Sequence, residues 1–112
     1  MAAYSEITIE QYADFSTTIN VEDLQGNYLN LFNYSVASQI RKSFYSSVAT
    51  DFIATIGKYD EGEILLDLSA NTTANLSPGR YLYDVVIKSD TNEVTRVVEG
   101  IVNVIPGVTR NV

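Results

Sequence analysis

The stretch that decides the fold runs from residue 80 to residue 105 and reads RYLYDVVIKSDTNEVTRVVEGIVNVI. Hydrophobic side chains recur at every second position in its first part, residues 80–88, and in its last part, residues 94–105. Successive side chains of a β-strand point to opposite faces, so both parts read as strands. The polar residues 89–93 between them are typical of a hairpin loop. The stretch therefore predicts two long, paired strands.

The same period of two continues outward through the rest of the chain. It predicts strands at residues 5–10, 14–22, 34–44, 52–56 and 64–68, with 28–32 as a short strand or an extended link. The short acidic turn at 59–63 predicts that 52–56 and 64–68 form a hairpin. Residues 69–76 predict one or two helical turns with Ser69 as N-cap. Pro78 and Gly79 then predict a type II turn.

This pattern gives about seven strands, turn-rich loops and almost no helix. We therefore expect an all-β fold, an antiparallel immunoglobulin-like β-sandwich of about seven strands with one short helical turn. A small closed barrel is the alternative. We expect one domain over residues 1–112, with short extended N- and C-terminal ends. Tyr4, Ser5 and residues 107–112 are expected to lie outside the sandwich without internal partners.

Composition removes several classes of function. The 112 residues include no Cys and no His, so disulfides, cysteine or histidine zinc sites and imidazole catalysis are excluded. Fourteen acidic against seven basic residues give a net charge of −7, which disfavours nucleic acid as a partner. No apolar run is long enough to span a bilayer, and the first residues do not resemble a secretory signal. We expect no cofactor, no metal, no membrane partner and no small-molecule substrate.

Two groups of carboxylates are candidate sites. Asp60, Glu61 and Glu63 could bind Ca²⁺, but they lack the spacing of a calcium loop, so a solvated turn is the better interpretation. Asp84 and Glu99 could serve as acid and base. With Arg96 on the neighbouring strand, however, a cross-strand ion pair is expected, and we predict no catalytic residues.

Tyrosine is the most frequent aromatic residue, with eight Tyr against four Phe and no Trp. Tyr suits protein interfaces, although its strand propensity explains the same count. Tyr83 is a candidate for a tyrosine corner, which tethers a loop through its hydroxyl. The chain ends could add to a neighbour's sheet edge. The candidate interface residues are Tyr4, Tyr12, Tyr28, Tyr34, Tyr45, Tyr59, Val108, Thr109 and Arg110.

The C-terminal half also carries a resemblance. Residues 78–85 read PGRYLYDV, and residues 94–110 read VTRVVEGIVNVIPGVTR. This string resembles small β-sandwich virion structural proteins of tailed bacteriophages, including those of cyanophages, and is similar to sandwich domains of phage baseplate proteins. The N-terminal residues 7–10 and 37–41 are compatible with the same group, so the resemblance covers most of the chain.

The resemblance implies a non-enzymatic virion subunit whose partners are other virion proteins and copies of itself. The resemblance does not fix the place in the particle; we expect the tail or baseplate, with capsid decoration or the neck as alternatives. It also implies assembly in the host cytoplasm, which the lack of Cys suits. A sandwich module that binds a carbohydrate or a receptor is the remaining alternative.

Overall fold

Two β-sheets face each other around one apolar core in the computed structural model, which describes residues 3–109. Over these residues the chain forms nine strands, one α-helix and one 3-10 helix. The strands are β1 Ala3–Tyr4, β2 Ile7–Glu10, β3 Phe15–Asn20, β4 Ser35–Arg41, β5 Thr50–Asp51, β6 Ile53–Ile56, β7 Glu63–Leu68, β8 Gly79–Lys88 and β9 Val94–Ile105. The helices are the 3-10 turn Tyr59–Glu61 and α1 Ala70–Ala74.

Sheet A has the strand order β1-β9-β8-β4-β5, and β2 pairs with β9 as well. Sheet B has the order β3-β7-β6. Most pairs are antiparallel, but β1 and β2 run parallel to β9, with Tyr4 opposite Glu99 and Ile9 opposite Val104. The prediction of a wholly antiparallel sandwich is therefore wrong at this edge. The N-terminal segment lies on the last strand, not on its neighbour in sequence, β3, and it runs in the same direction as β9.

The predicted strand at 52–56 corresponds to β6 in sheet B, and the two residues before it, β5, lie in sheet A. β5 pairs with β4 in sheet A, and β6 pairs with β7 in sheet B, which confirms the predicted hairpin. The crossing point is Phe52, a buried side chain whose N–H donates to the carbonyl of Ser38 at 3.0 Å. Residues 28–32 form no strand, because only Tyr28 bridges back to Glu22. The predicted turn at 59–63 contains the 3-10 helix Tyr59–Glu61, which Gly62 caps with φ 61°.

The predicted long hairpin is confirmed. β8 and β9 pair from Gly79 opposite Val104 to Lys88 opposite Val94, with a bulge next to Val85 and Val86. The N–H of Ser89 closes the loop by donating to the carbonyl of Glu93 at 2.9 Å. The alternation of the sequence translates directly into burial: the inward residues of both strands are buried, namely Tyr83, Val85, Ile87, Val98, Gly100, Val102 and Val104.

An aromatic contact joins the two sheets at the centre of the core. The Phe52 ring lies 6.0 Å from that of Phe15 in sheet B and 6.2 Å from that of Tyr83 in sheet A, the latter edge-on. Such tilted pairs are favourable because the ring edge of one meets the negative face of the other. Aliphatic residues fill the rest of the core, among them Ile9, Leu31, Ile40, Ile64, Leu66 and Leu76.

The connection between β7 and β8 contains the predicted helix. The hydroxyl of Ser69 accepts from the Thr72 N–H at 3.3 Å, which confirms the N-cap. Gly79 has the expected positive φ, but its value of 141° is far from the roughly +80° of a type II turn, and the residue instead opens β8. The Tyr81 hydroxyl donates to the Ser77 carbonyl at 2.7 Å. The tyrosine that tethers this corner is therefore Tyr81, and the assignment to Tyr83 was wrong.

The expectation that both chain ends lack internal partners is also wrong. Tyr4 belongs to β1, and the Ser5 N–H donates to the Glu99 carbonyl at 3.0 Å. At the other end, the Gly107 N–H donates to the side-chain oxygen of Gln11 at 3.3 Å. Main-chain groups near sheet edges gain free energy by pairing, and the ends do so here. Arg110 lies outside the described residues.

Candidate binding groove on the outer face of sheet A

An open groove of about 490 Å³ crosses the outer face of sheet A, the face turned away from sheet B. It lies across β1, β9, β8 and β4 and continues into the loop after β4. We call it the sheet A groove. Its lining includes Tyr4, Gln39, Arg41, Phe44, Leu82, Asp84, Arg96, Glu99 and Ile101.

Strand register places these side chains in two rows. One row is polar and runs from Gln39 through Asp84 and Glu99 to Tyr4, which are directly opposite one another on successive strands. The next row runs from Arg41 through Leu82 to Ile101. Residues opposite each other in a sheet share a face, so the apolar pair lies beside the charged pair. The groove thus combines a small apolar strip with a charged border.

Arg96 organises the charges of the groove. Its Nε donates to a carboxylate oxygen of Asp84 at 3.1 Å, and its Nη1 lies 3.9 Å from a carboxylate oxygen of Glu99. This confirms the predicted cross-strand ion pair. Without the guanidinium, two like charges would face each other across β8 and β9, which is unfavourable. All three side chains are partly exposed, so these ion pairs orient charge and contribute little stability.

A second polar network fixes the β4 side of the groove. Arg41 donates from Nη2 to the side-chain oxygen of Gln39 at 2.9 Å and from Nη1 to the carbonyl of Ser46 at 2.6 Å. Gln39 in turn donates to the carboxylate of Asp51 at 2.7 Å. These bonds tie the loop after β4 to the strand itself. The groove is therefore preorganised at its polar groups.

The N-terminal strand completes the opposite side, and two residues of the hairpin hold it there. A Cβ on Gly100 would collide with the carbonyl oxygen of Ser5, so only glycine lets the chain cross β9 at this point. The Tyr83 hydroxyl donates to the same carbonyl at 2.8 Å. Burial raises the pKa of this phenol, although the hydrogen bond to Ser5 acts in the other direction. Gly100 and Tyr83 together position Tyr4 at the groove.

The structure separates the predicted interface residues. Tyr4 lines the groove, and its side chain is 63% exposed. Tyr28, Tyr45, Tyr59, Val108 and Thr109 are also exposed but lie elsewhere on the surface. Tyr12 is partly buried, and Tyr34 packs against the core, so neither presents a free ring. Strand propensity and packing thus explain part of the tyrosine count, as the alternative interpretation allowed.

Two further groups of exposed apolar residues lie away from the strands. The loop after β4 exposes Phe44, Tyr45 and Val48, and only Phe44 of these reaches the sheet A groove. In the loops at the start of β4 and around the 3-10 helix, the rings of Phe32 and Tyr59 are 5.4 Å apart. These rings are tilted by 58° and offer no flat surface.

The acidic turn does not gather into a cation site. Glu61 forms an ion pair with Lys58 at 3.9 Å, and Glu63 accepts from the Lys58 N–H at 3.3 Å. Among residues 3–109, no three carboxylates lie close enough together to hold a metal ion. Neither helix of this part of the chain is long and apolar enough to cross a membrane.

Sequence reasoning missed much of the groove. The alternating pattern predicts the strands that contain Leu82 and Ile101 but not that these residues line a groove, and it does not distinguish Gln39, Arg41 or Phe44. The alternating pattern of β4, β8 and β9 does indicate which residues lie on the outer face of the sheet, because each strand carries apolar or charged residues on the face opposite the core. What the sequence could not supply was the register that brings Arg41, Leu82 and Ile101 into one row.

Comparison with known proteins extends the description of the fold. No protein-family model matches the sequence, and no curated protein sequence matches it significantly. Among solved structures, the internalin-like protein lmo2027 of Listeria monocytogenes aligns with a TM-score of 0.52 and 17% identity over 93% of this chain. A family 123 glycoside hydrolase from Clostridium perfringens aligns with a TM-score of 0.43 and 10% identity over 95%. The chain spans 28% and 23% of those two proteins, and the first likeness concerns the fold alone.

Proposed function

We propose that this chain is a non-enzymatic structural subunit of a phage virion that docks onto other virion proteins through the sheet A groove. The observation that carries the proposal is the row of Leu82 and Ile101 beside the Arg96 ion pairs. Partly buried apolar residues bordered by oriented charges and an exposed tyrosine are typical of protein interfaces. Arg and Tyr are also the residue types that contribute most binding energy at such surfaces.

The finer fold assignment belongs to this proposal: we take the sandwich to be immunoglobulin-like. Sheet B pairs β3, β7 and β6, while sheet A pairs β9, β8 and β4, and this division of strands is that of immunoglobulin-like sandwiches. The bond from Tyr81 to the Ser77 carbonyl matches the tyrosine corner of such domains. The Cys pair and core Trp of antibody domains have no counterparts in the sequence.

Binding fits the charged groups of the groove better than catalysis does. Asp84 and Glu99 both pair with Arg96, an arrangement that orients two carboxylates and a guanidinium for recognition of a polar partner. Acid catalysis by a carboxyl group gains instead from an apolar setting, whereas the side chains of Asp84 and Glu99 are 35% and 50% exposed. The groove is also open along its length, whereas catalysis gains from excluding water.

The phage assignment itself draws on the resemblance of residues 78–85 and 94–110 to virion sandwich proteins. Residues 79–85 and 94–105 of these stretches lie on β8 and β9, which supply both the centre of the core and the centre of the groove. We propose a place in the tail or baseplate, with capsid decoration or the neck as the alternative. Assembly in the host cytoplasm follows from the same proposal.

The test uses particles of a phage that encodes this chain. Leu82→Glu and Ile101→Glu put a charge on the apolar row, and Thr55→Glu puts the same charge on the exposed face of sheet B as a matched control. All three should fold, as judged by circular dichroism and thermal melting. We expect the groove variants to be lost from purified particles and the control to be retained. Absence of the unchanged protein from particles, or equal retention of all variants, would contradict the proposal.

A second function is favoured by one observation. Tyr4 and Phe44 present exposed rings beside the amide of Gln39 and the carboxylate of Asp84, a combination that suits the apolar face and hydroxyl groups of a sugar. A glycan array tests this carbohydrate-binding alternative. Hits that disappear in Tyr4→Ala and Phe44→Ala but persist in Tyr45→Ala would support it, and an array without hits would remove it.

A further inference from the structure

The outer edge of β3 has no partner strand. In sheet B, β3 pairs with β7 on one side, and no strand of residues 3–109 pairs with its other side. This edge is open because the N-terminal segment, which precedes β3 in sequence, is bound to β9 over both of its strands. The position of the N-terminal segment thus determines which edge of the sandwich is exposed.

The direction of the free main-chain groups follows from the ladder. The Val21 N–H donates to the Gly62 carbonyl at 2.8 Å, so the odd-numbered residues of β3 direct their N–H and C=O groups toward β7. The N–H and C=O groups of Ser16, Thr18 and Asn20 therefore point to the open edge. No group among the described residues is hydrogen-bonded to them.

This edge lacks the features that normally prevent strands from pairing between molecules. Its sequence, FSTTIN, contains no charge, no Pro and no Gly, and its six pairs with β7 show no bulge. The other edges are less suitable. β5 has two residues and β6 has four, while β1 and β2 are short strands interrupted by Ser5 and Glu6, and β2 carries Glu10.

We propose that β3 pairs antiparallel with β3 of a second copy of this chain, so that two three-stranded sheets join into one six-stranded sheet. A two-fold axis through Thr17 places Thr17 opposite its own copy, Phe15 opposite Ile19 and Ser16 opposite Thr18. Opposed residues share a face in this register, so Phe15 and Ile19, both half-buried in one chain, cover each other across the junction. Such an edge-to-edge contact is isologous and closed.

Charge selects this register over its neighbour. With the axis at Thr17, Asp14 lies opposite Asn20, and no like charges meet. Moving the axis to Thr18 keeps the faces matched but brings Asp14 opposite Glu22, an unfavourable contact. The dimer leaves the sheet A groove free in both copies. The inference rests on the proposed function in that it names one of the self-contacts which a multi-copy virion subunit would use.

The test is the mass of the purified chain in solution, measured by sedimentation equilibrium from micromolar to near-millimolar concentration. We expect a concentration-dependent dimer. The variant S16K/T18K puts Lys opposite Lys at two symmetric places and should weaken the dimer by about tenfold or more. The matched variant S16K/T18E puts Lys opposite Glu in the Thr17 register and should keep the dimer. In the Thr18 register it would instead oppose Glu to Glu.

Amide hydrogen exchange on the unchanged protein gives an independent readout that does not depend on a variant folding. The amides of Ser16, Thr18 and Asn20 should become protected as concentration rises, while those of exposed loop residues such as Gln25 should not change. A chain that stays monomeric with these three amides exchanging freely would overturn the inference, as would equal dissociation of both double variants. If the chain is monomeric but still enters particles, the dimer inference fails and the proposed function stands. If the chain forms the dimer but is absent from particles, the proposed function fails and the dimer inference stands.

Discussion

The hydroxyl of Tyr83 and the carbonyl of Ser5 are 78 residues apart in sequence and are joined by a 2.8 Å hydrogen bond. The bond forms at the point where the N-terminal segment passes between β1 and β2, directly over Gly100. Tyr83 also contacts Phe52, whose ring links it to sheet B through Phe15. One buried side chain therefore connects the N-terminal strand, the central hairpin and the opposite sheet.

Replacing Tyr83 by Phe should remove this connection and keep the ring in place. The Ser5 carbonyl would lose its buried partner, so we expect the free energy of unfolding to fall by about 1 kcal/mol. Chemical denaturation followed by circular dichroism measures the change. Tyr59→Phe is the matched control, because Tyr59 is exposed, and it should alter stability by less than about 0.5 kcal/mol. Equal stability of the two variants would contradict the role of the bond.

Deprotonation of Tyr83 should contribute to a fall in the free energy of unfolding at alkaline pH. Burial raises the pKa of Tyr83 above its ordinary value of 10.0, so folding favours the protonated phenol. The stabilisation is complete below the unfolded pKa of about 10 and is lost as pH rises through the higher folded pKa. Denaturation of the unchanged protein and of Tyr83→Phe from pH 8 to 11, roughly spanning that window, should show the variant losing less stability. Parallel curves would show that Tyr83 does not titrate differently in the two states.

Gly100→Ala adds a single methyl group and should strongly reduce the free energy of unfolding. The new Cβ would overlap the Ser5 carbonyl oxygen, a main-chain atom held by pairing with β9. We expect a loss of about 1–3 kcal/mol, as for other overpacked sites. Thr95→Ala on the exposed part of β9 is the control and should change stability little. If the strand simply moves away, amide exchange at Ser5 will increase even when the thermal midpoint barely shifts.

Tyr81→Phe should loosen the corner before β8. The variant loses the bond to the Ser77 carbonyl but keeps the ring beneath the Lys42 ammonium, which lies 4.6 Å from the ring centroid. A loss of about 0.5–1.5 kcal/mol is expected for one such hydrogen bond. Thermal melting measures it. A variant as stable as the unchanged protein would show that Ser77 finds water as an equivalent partner.

Several of these relationships were open to sequence reasoning in part. The strands at 80–88 and 94–105 followed from alternation, and so did the ion pair of Asp84, Arg96 and Glu99, since neighbouring strands of a hairpin place such residues together. Ser69 followed from the chemistry of N-caps. The sequence predicts that a tyrosine tethers the loop before β8 but does not identify which one, because Tyr81 and Tyr83 lie on the same face and only their distance to the loop distinguishes them.

The sequence by itself determined the all-β character of this protein, the central hairpin and which face of each strand meets the core, because these depend on the local period of apolar residues. Only the tertiary structure decided that the N-terminal segment pairs parallel to β9, that residues 50–56 divide between two sheets, and that Arg41, Leu82 and Ile101 share a row. Those features depend on contacts between residues far apart in sequence, and period alone does not encode which distant strands meet or in what register.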